Sequence, residues 1–210
     1  MIRHLLCLSI LAAGGVFAQN LELGAIGGFG FTNDLTVKSP SGSATAGLAT
    51  GGAFGAFFEE DSYKYIGGEV QYLYRYSDLR LSSGGTSVDF AAHTNIVDGG
   101  MVLHFRPRGA HIRPFIAAGA GVMVLTGTGA ESASQPLGNF AALTATRQTL
   151  PVVDVGGGVK ISLQRHMRLR FEVRDYISSS PSKVIAPVPG ASVSGWLNDI
   201  MASASVSYTF

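Results

Sequence analysis

Between residues 200 and 210 two kinds of side chain alternate without a break. Ile200, Ala202, Ala204, Val206, Tyr208 and Phe210 are separated by Met201 and by the hydroxyl residues Ser203, Ser205, Ser207 and Thr209. A period of two puts each set on its own face of a strand. Upstream, Leu169, Phe171 and Val173 interleave with Arg168, Arg170, Glu172 and Arg174. A helix would scatter those charges around its axis, whereas a strand gathers them on one side. The same reading gives eight strands, at roughly 20–31, 47–59, 64–77, 89–105, 112–125, 150–164, 168–178 and 199–210.

The connections alternate in length. Residues 60–63, 106–111 and 165–167 are tight, while 32–46, 78–88, 126–149 and 179–198 are long and rich in Gly, Ser, Thr, Ala and Pro. Short turns at one end and long loops at the other, repeated in chain order, make an up-and-down meander of the membrane-barrel kind. The longest apolar run, 115–125, has 11 residues, about half of what a membrane-spanning helix needs. The expected fold is therefore all-β: an eight-stranded antiparallel up-and-down transmembrane β-barrel with four mobile surface loops.

Two faces of different character sharpen this expectation. Opposite the oily face lie Glu22, Glu69, Gln71, Arg75, Asp98, His104, Arg113, Asp154, Lys160, Arg170, Glu172 and Arg174, five acids against five bases. An enclosed lumen favours such a match, because a buried charge is tolerable only when paired. The expected ion-pair network comprises Glu69, Arg75, Asp98, Arg113, Asp154, Lys160, Arg170, Glu172 and Arg174. On the oily face Tyr72, Tyr74 and Tyr76 approach one rim, and Phe58, Phe105, Tyr208 and Phe210 the other. These are the expected aromatic girdles at the two membrane interfaces. In hydrocarbon every backbone polar group needs an internal partner, which strands achieve only by closing. Paired glycines such as Gly27-Gly28 and Gly99-Gly100 fit the tight curvature of a narrow barrel. Asp175 breaks the register by falling on the oily side, and is expected at the outer rim or beyond a bulge.

Composition narrows the destination. Only 14% of residues are charged, against about 25% in an ordinary soluble domain. The formal charge of +1 leaves no basic excess for a nucleic acid. Residues 1–4 are positive through Arg3, 5–16 are apolar, and Ala18 supplies a small residue for cleavage. The expected organisation is a leader over 1–18 and an outer-membrane barrel over 19–210. The single cysteine, Cys7, falls within that leader, so no disulfide is expected.

Three stretches resemble the small OmpA-like outer-membrane barrel family. They are Arg113-Pro114-Phe115 running into 117–122, Gly156-Gly157-Gly158-Val159-Lys160 leading to 170–176, and the C-terminal 205–210. The resemblance implies residence in the outer membrane of a Gram-negative-type bacterium, with surrounding lipid and lipopolysaccharide. It also implies that Val206, Tyr208 and Phe210 act as a C-terminal signal for the barrel-assembly machinery. The sequence given continues into no peptidoglycan-binding region, so the cell-wall anchoring of longer relatives is not implied.

Little in the chain suggests chemistry. Gly119 and Gly121, or Gly127 and Gly129, lack the lysine and following helix of a phosphate cradle. His93, His104, His111 and His166 have no metal-ligand spacing. His93, with Asp78, Ser82, Ser83 and Asp89 nearby, is the one place a lipid hydrolase could assemble. The expectation is a non-enzymatic barrel without cofactor or metal, whose structural or surface-interaction role is carried by its long loops, residues 126–149 and 179–198 foremost. A narrow small-solute channel and a lipid-modifying barrel enzyme are the alternatives, and the surface ligand stays open.

Overall fold

A computed structural model describes residues 21–132 and 134–210. The leader expected over 1–18 lies outside them. Fifteen strands occur: β1 Leu21–Thr32, β2 Leu35–Ser39, β3 Gly42–Leu48, β4 Gly51–Glu60, β5 Ile66–Tyr76, β6 Leu79–Ser83, β7 Thr86–Phe90, β8 Ala92–His104, β9 Ile112–Gly127, β10 Ala141–Leu143, β11 Arg147–Ser162, β12 Met167–Ser179, β13 Ile185–Pro187, β14 Ser192–Ser194 and β15 Trp196–Thr209. Among the described residues there is no helix.

Eight of these strands close a barrel in the order β1-β15-β12-β11-β9-β8-β5-β4, with β4 paired back onto β1. All neighbours are antiparallel. They coincide with the eight segments read from the alternation, to within a few residues at each end. The chain ends meet at the β1–β15 seam, where Leu23 faces Tyr208 and the Phe210 amide donates to Leu21 O at 2.9 Å. Closure leaves no free edge, the condition for strands in hydrocarbon.

The alternation resolves into outside and inside. Val97, Phe171, Val173 and Val206 are exposed on the outer wall, while Arg170, Glu172 and Arg174 are buried within. Tyr72 and Tyr76 are exposed near one rim, where Phe54, Tyr74 and His93 join Tyr76 in a ring cluster. Phe58, Phe105, Tyr208 and Phe210 are exposed towards the opposite rim. Asp175 sits on the outer side without any bulge, since the β12–β15 register runs unbroken from Met167 to Ser179. It is half-buried, and Asn198 Nδ2 donates to its Oδ2 at 2.7 Å.

Glycines on the inner face make room for large lumen groups, a role beyond curvature. A Cβ on Gly24 would run into the Phe57 ring, and one on Gly119 would stand 2.7 Å from Asp154 Oδ2. The outward Gly27 and Gly52, by contrast, have open space around them.

Two expectations need correction. The long connections are not irregular loops, for they carry the other seven strands. These form a five-stranded sheet, β14-β2-β3-β6-β7, and a two-stranded ribbon, β10-β13. Leu35, Val37, Ala46, Leu79 and Leu81 line the buried side of the sheet, and Phe140, Leu143 and Ile185 belong to the same core. Nor is the lumen polar throughout. This core continues downwards through Leu73, Ile96, Met123, Leu125 and Val152, so the part of the interior nearest the sheet is apolar apart from the Arg75–Asp199 pair, and the other charges lie beneath it.

Candidate functional site

The most concentrated chemistry in the molecule is the charged interior. β12 places Arg170, Glu172 and Arg174 at alternate positions, all pointing inwards. The Arg170 guanidinium lies between the rings of Phe57 and Phe115, 4.9 and 4.5 Å from their centroids. It pairs with Glu69, with Glu172 Oε2 at 2.8 Å and with Glu59 Oε2 at 3.3 Å. Arg174 reaches Glu69 at 2.6 Å, Glu172 at 2.7 Å, Asp98 at 3.2 Å and Asp154 at 3.3 Å. Lys160 Nζ joins Glu22 at 3.0 Å to Glu59 at 2.6 Å, and Arg168 also reaches Glu22 at 2.8 Å. Arg113 holds Asp61 at 2.7 Å, and higher up Arg75 pairs with Asp199.

All nine network residues named from the sequence are thus inside the barrel, each with at least one ionic partner. Arg75 and Arg113 bind carboxylates that the sequence reading did not assign to the lumen. Glu59 was legible, because it lies two residues from the inward Phe57, and Asp199 shares the parity of Met201, Ser205 and Ser207. Both sit at the ends of the segments read from the sequence, 47–59 and 199–210, where inside and outside are hardest to read from alternation. Asp61 lies in the turn beyond β4, which has no periodicity to exploit. The expected balance changes accordingly: among the described residues eight buried carboxylates (Glu22, Glu59, Asp61, Glu69, Asp98, Asp154, Glu172, Asp199) face five buried bases, with the half-buried Arg168 reaching Glu22 and the half-buried Arg108 donating to the Asp61 carbonyl.

Among the described residues the hydrolase alternative finds no assembled site. His93 stacks on Tyr74 with ring centroids 5.3 Å apart. Ser82 donates to Ser87 Oγ at 3.0 Å, and Ser83 to Ser43 O at 2.9 Å. Asp89 accepts from Arg80 Nε at 2.7 Å, a hydrogen bond that holds its carboxyl below the usual range. A nucleophile, its base and an orienting acid must be within hydrogen-bond reach of one another, and these side chains are committed elsewhere.

The family model for the outer membrane protein beta-barrel domain matches residues 4–210. The chain belongs to this outer-membrane β-barrel family. Several solved structures are similar to it, two of which illustrate the shared barrel fold. Neisserial surface protein A is 14% identical at a TM-score of 0.58, over 90% of this chain and 97% of that one. OprG from Pseudomonas aeruginosa is 12% identical at a TM-score of 0.58, over 91% of this chain and 97% of that one. Among proteins of curated function, none matches the sequence. The exposed valines and aromatics of this outer-membrane barrel are therefore its lipid-facing wall. The sheet and ribbon built from the long connections stand at its extracellular end.

On that sheet the strand register aligns five hydroxyls in a single outward row: Ser194, Thr36, Thr45, Ser82 and Ser87, one from each strand. A two-residue turn, Gly84-Gly85, closes the β6–β7 hairpin, and both residues have positive φ, 57° and 83°. Glycine adopts that backbone without penalty and gives the turn the twist of its flanking strands.

Proposed function

We propose that this protein is a sealed outer-membrane barrel with a structural and surface-interaction role, acting through its extracellular sheet rather than conducting solutes or transforming lipid. The observation that carries the reading is the continuous apolar core linking Leu35, Val37 and Leu81 of the sheet to Ile96, Met123 and Leu125 of the barrel. Water and ions would have to cross this core before reaching the charged lumen, and an eight-stranded barrel is only wide enough to be filled by its own side chains. Below it, the ion-pair network closes the same path a second time.

The sheet supplies the contact surface. Its outward row of hydroxyls, flanked by Lys38 and by the Arg80–Asp89 pair, is polar and close to neutral. It suits a neutral, hydrogen-bonding partner better than a strongly charged one. Lipopolysaccharide is the adjoining partner in the outer leaflet. The outward Val206, Tyr208 and Phe210 are the side chains offered to the assembly machinery during insertion. Trp196, exposed at the start of β15, adds an amphipathic anchor near the outer rim.

Planar-bilayer recording of the purified, folded barrel tests this reading. The expected result is no unitary conductance step. Reproducible steps from a folded preparation would return the channel alternative.

A further inference from the structure

At the periplasmic mouth, three side chains from two strands and a turn converge. Glu59 ends on the inner face of β4, Asp61 follows in the next turn, and His104 closes β8. All three are buried, with His104 only 2% exposed. Its Nε2 lies 3.5 Å from Glu59 Oε1 and its Nδ1 lies 3.6 Å from Asp61 Oδ1. Both distances exceed an N–H···O hydrogen bond, and among the described residues neither ring nitrogen nor Glu59 Oε1 has a hydrogen-bond partner.

A neutral imidazole has one N–H and one lone pair, so one nitrogen turns its lone pair on a carboxylate whichever tautomer is present. Buried polar groups left in that state are costly. The remaining oxygens are already engaged: Lys160 holds Glu59 Oε2 at 2.6 Å and Arg113 holds Asp61 Oδ2 at 2.7 Å, with a longer reach of 3.5 Å to Oδ1. These two bases orient the carboxylates and leave Oε1 and Oδ1 facing the imidazole, as outer-shell groups do around a metal.

We infer that Glu59, Asp61 and His104 form a binding site for one first-row divalent cation. One donor atom from each lies within 4.8 Å of the others, close to the ~4 Å spanned by two ligand bonds to a common zinc ion. One imidazole nitrogen and two carboxylate oxygens suit zinc or a neighbouring transition ion better than magnesium or calcium, which favour all-oxygen shells. The three ligands are far apart in sequence or carried on a turn, and for that reason the metal-motif spacings do not reveal them.

Isothermal titration of zinc chloride into the folded, detergent-solubilised full chain tests the site, and heat-modifiable migration checks the fold of each variant. One equivalent is expected to bind. His104→Gln is expected to weaken binding by more than about tenfold, the least effect seen on losing even an outer-shell partner. Glu59→Gln provides a second variant should His104→Gln not fold. Replacing the exposed turn residues His111 and His166 with alanine is expected to leave affinity unchanged. Failure of the wild type to bind zinc would overturn the proposal. So would binding that survives His104→Gln and disappears in the His111→Ala/His166→Ala variant.

Discussion

Replacing Arg170 with alanine is expected to destabilise the folded barrel by about 3–5 kcal/mol, the usual cost of removing one partner from a buried ion pair. The reason is local. Arg170 serves Glu59, Glu69 and Glu172 at once, so its loss leaves these three carboxylates only Lys160 and Arg174 to share, one buried positive charge fewer. It also empties the space between the Phe57 and Phe115 rings. Urea unfolding in lipid, read by the mobility difference between folded and unfolded forms, measures the change. Adding Glu69→Gln to the same variant is expected to restore part of the loss, because one of the carboxylates left in excess is then removed. An Arg170→Ala barrel within about 1 kcal/mol of wild type, the range of exposed pairs, would mean that water reaches the network.

The second large effect concerns the outer wall. Val97 is 46% exposed near the middle of β8, between the aromatic rims. Val97→Arg is expected to cost about 2–4 kcal/mol, the penalty for a base at the bilayer midplane. Leu103→Arg, on the same face close to the periplasmic end, is expected to cost only about 0–1 kcal/mol, as it does near an interface. The same unfolding assay compares them. Equal costs at the two depths would argue against a lipid boundary along β8.

The eight barrel strands and the sidedness of their faces were readable from period two alone. Each spans the membrane with one face in lipid and one in the lumen, so nearly every residue carries the signal. The extracellular strands were not read, although Leu35 with Val37 and Leu79 with Leu81 alternate in the same way. At three to seven residues, flanked by Gly, Ser and Pro, they resemble loops. What makes them strands is the apolar core they share, which is formed by residues distant in sequence. The same cause hides the convergence of Glu59, Asp61 and His104. Parity placed His104 in the lumen, but only closure of β4 against β5 and of β5 against β8 brings the acids to it.

The orientation of the two faces underlies all of these effects, and fluorescence tests it most directly. The chain has one tryptophan, Trp196, so Trp196→Phe gives a silent background. In that background, Phe171→Trp reports from the 44% exposed outer face and Phe115→Trp from the 2% exposed lumen. In bilayers of phospholipid brominated along its acyl chains, fluorescence from position 171 is expected to be strongly quenched and that from position 115 nearly untouched. Stronger quenching at 115 than at 171, or equal quenching at both, would contradict an oily wall facing lipid around a charged interior.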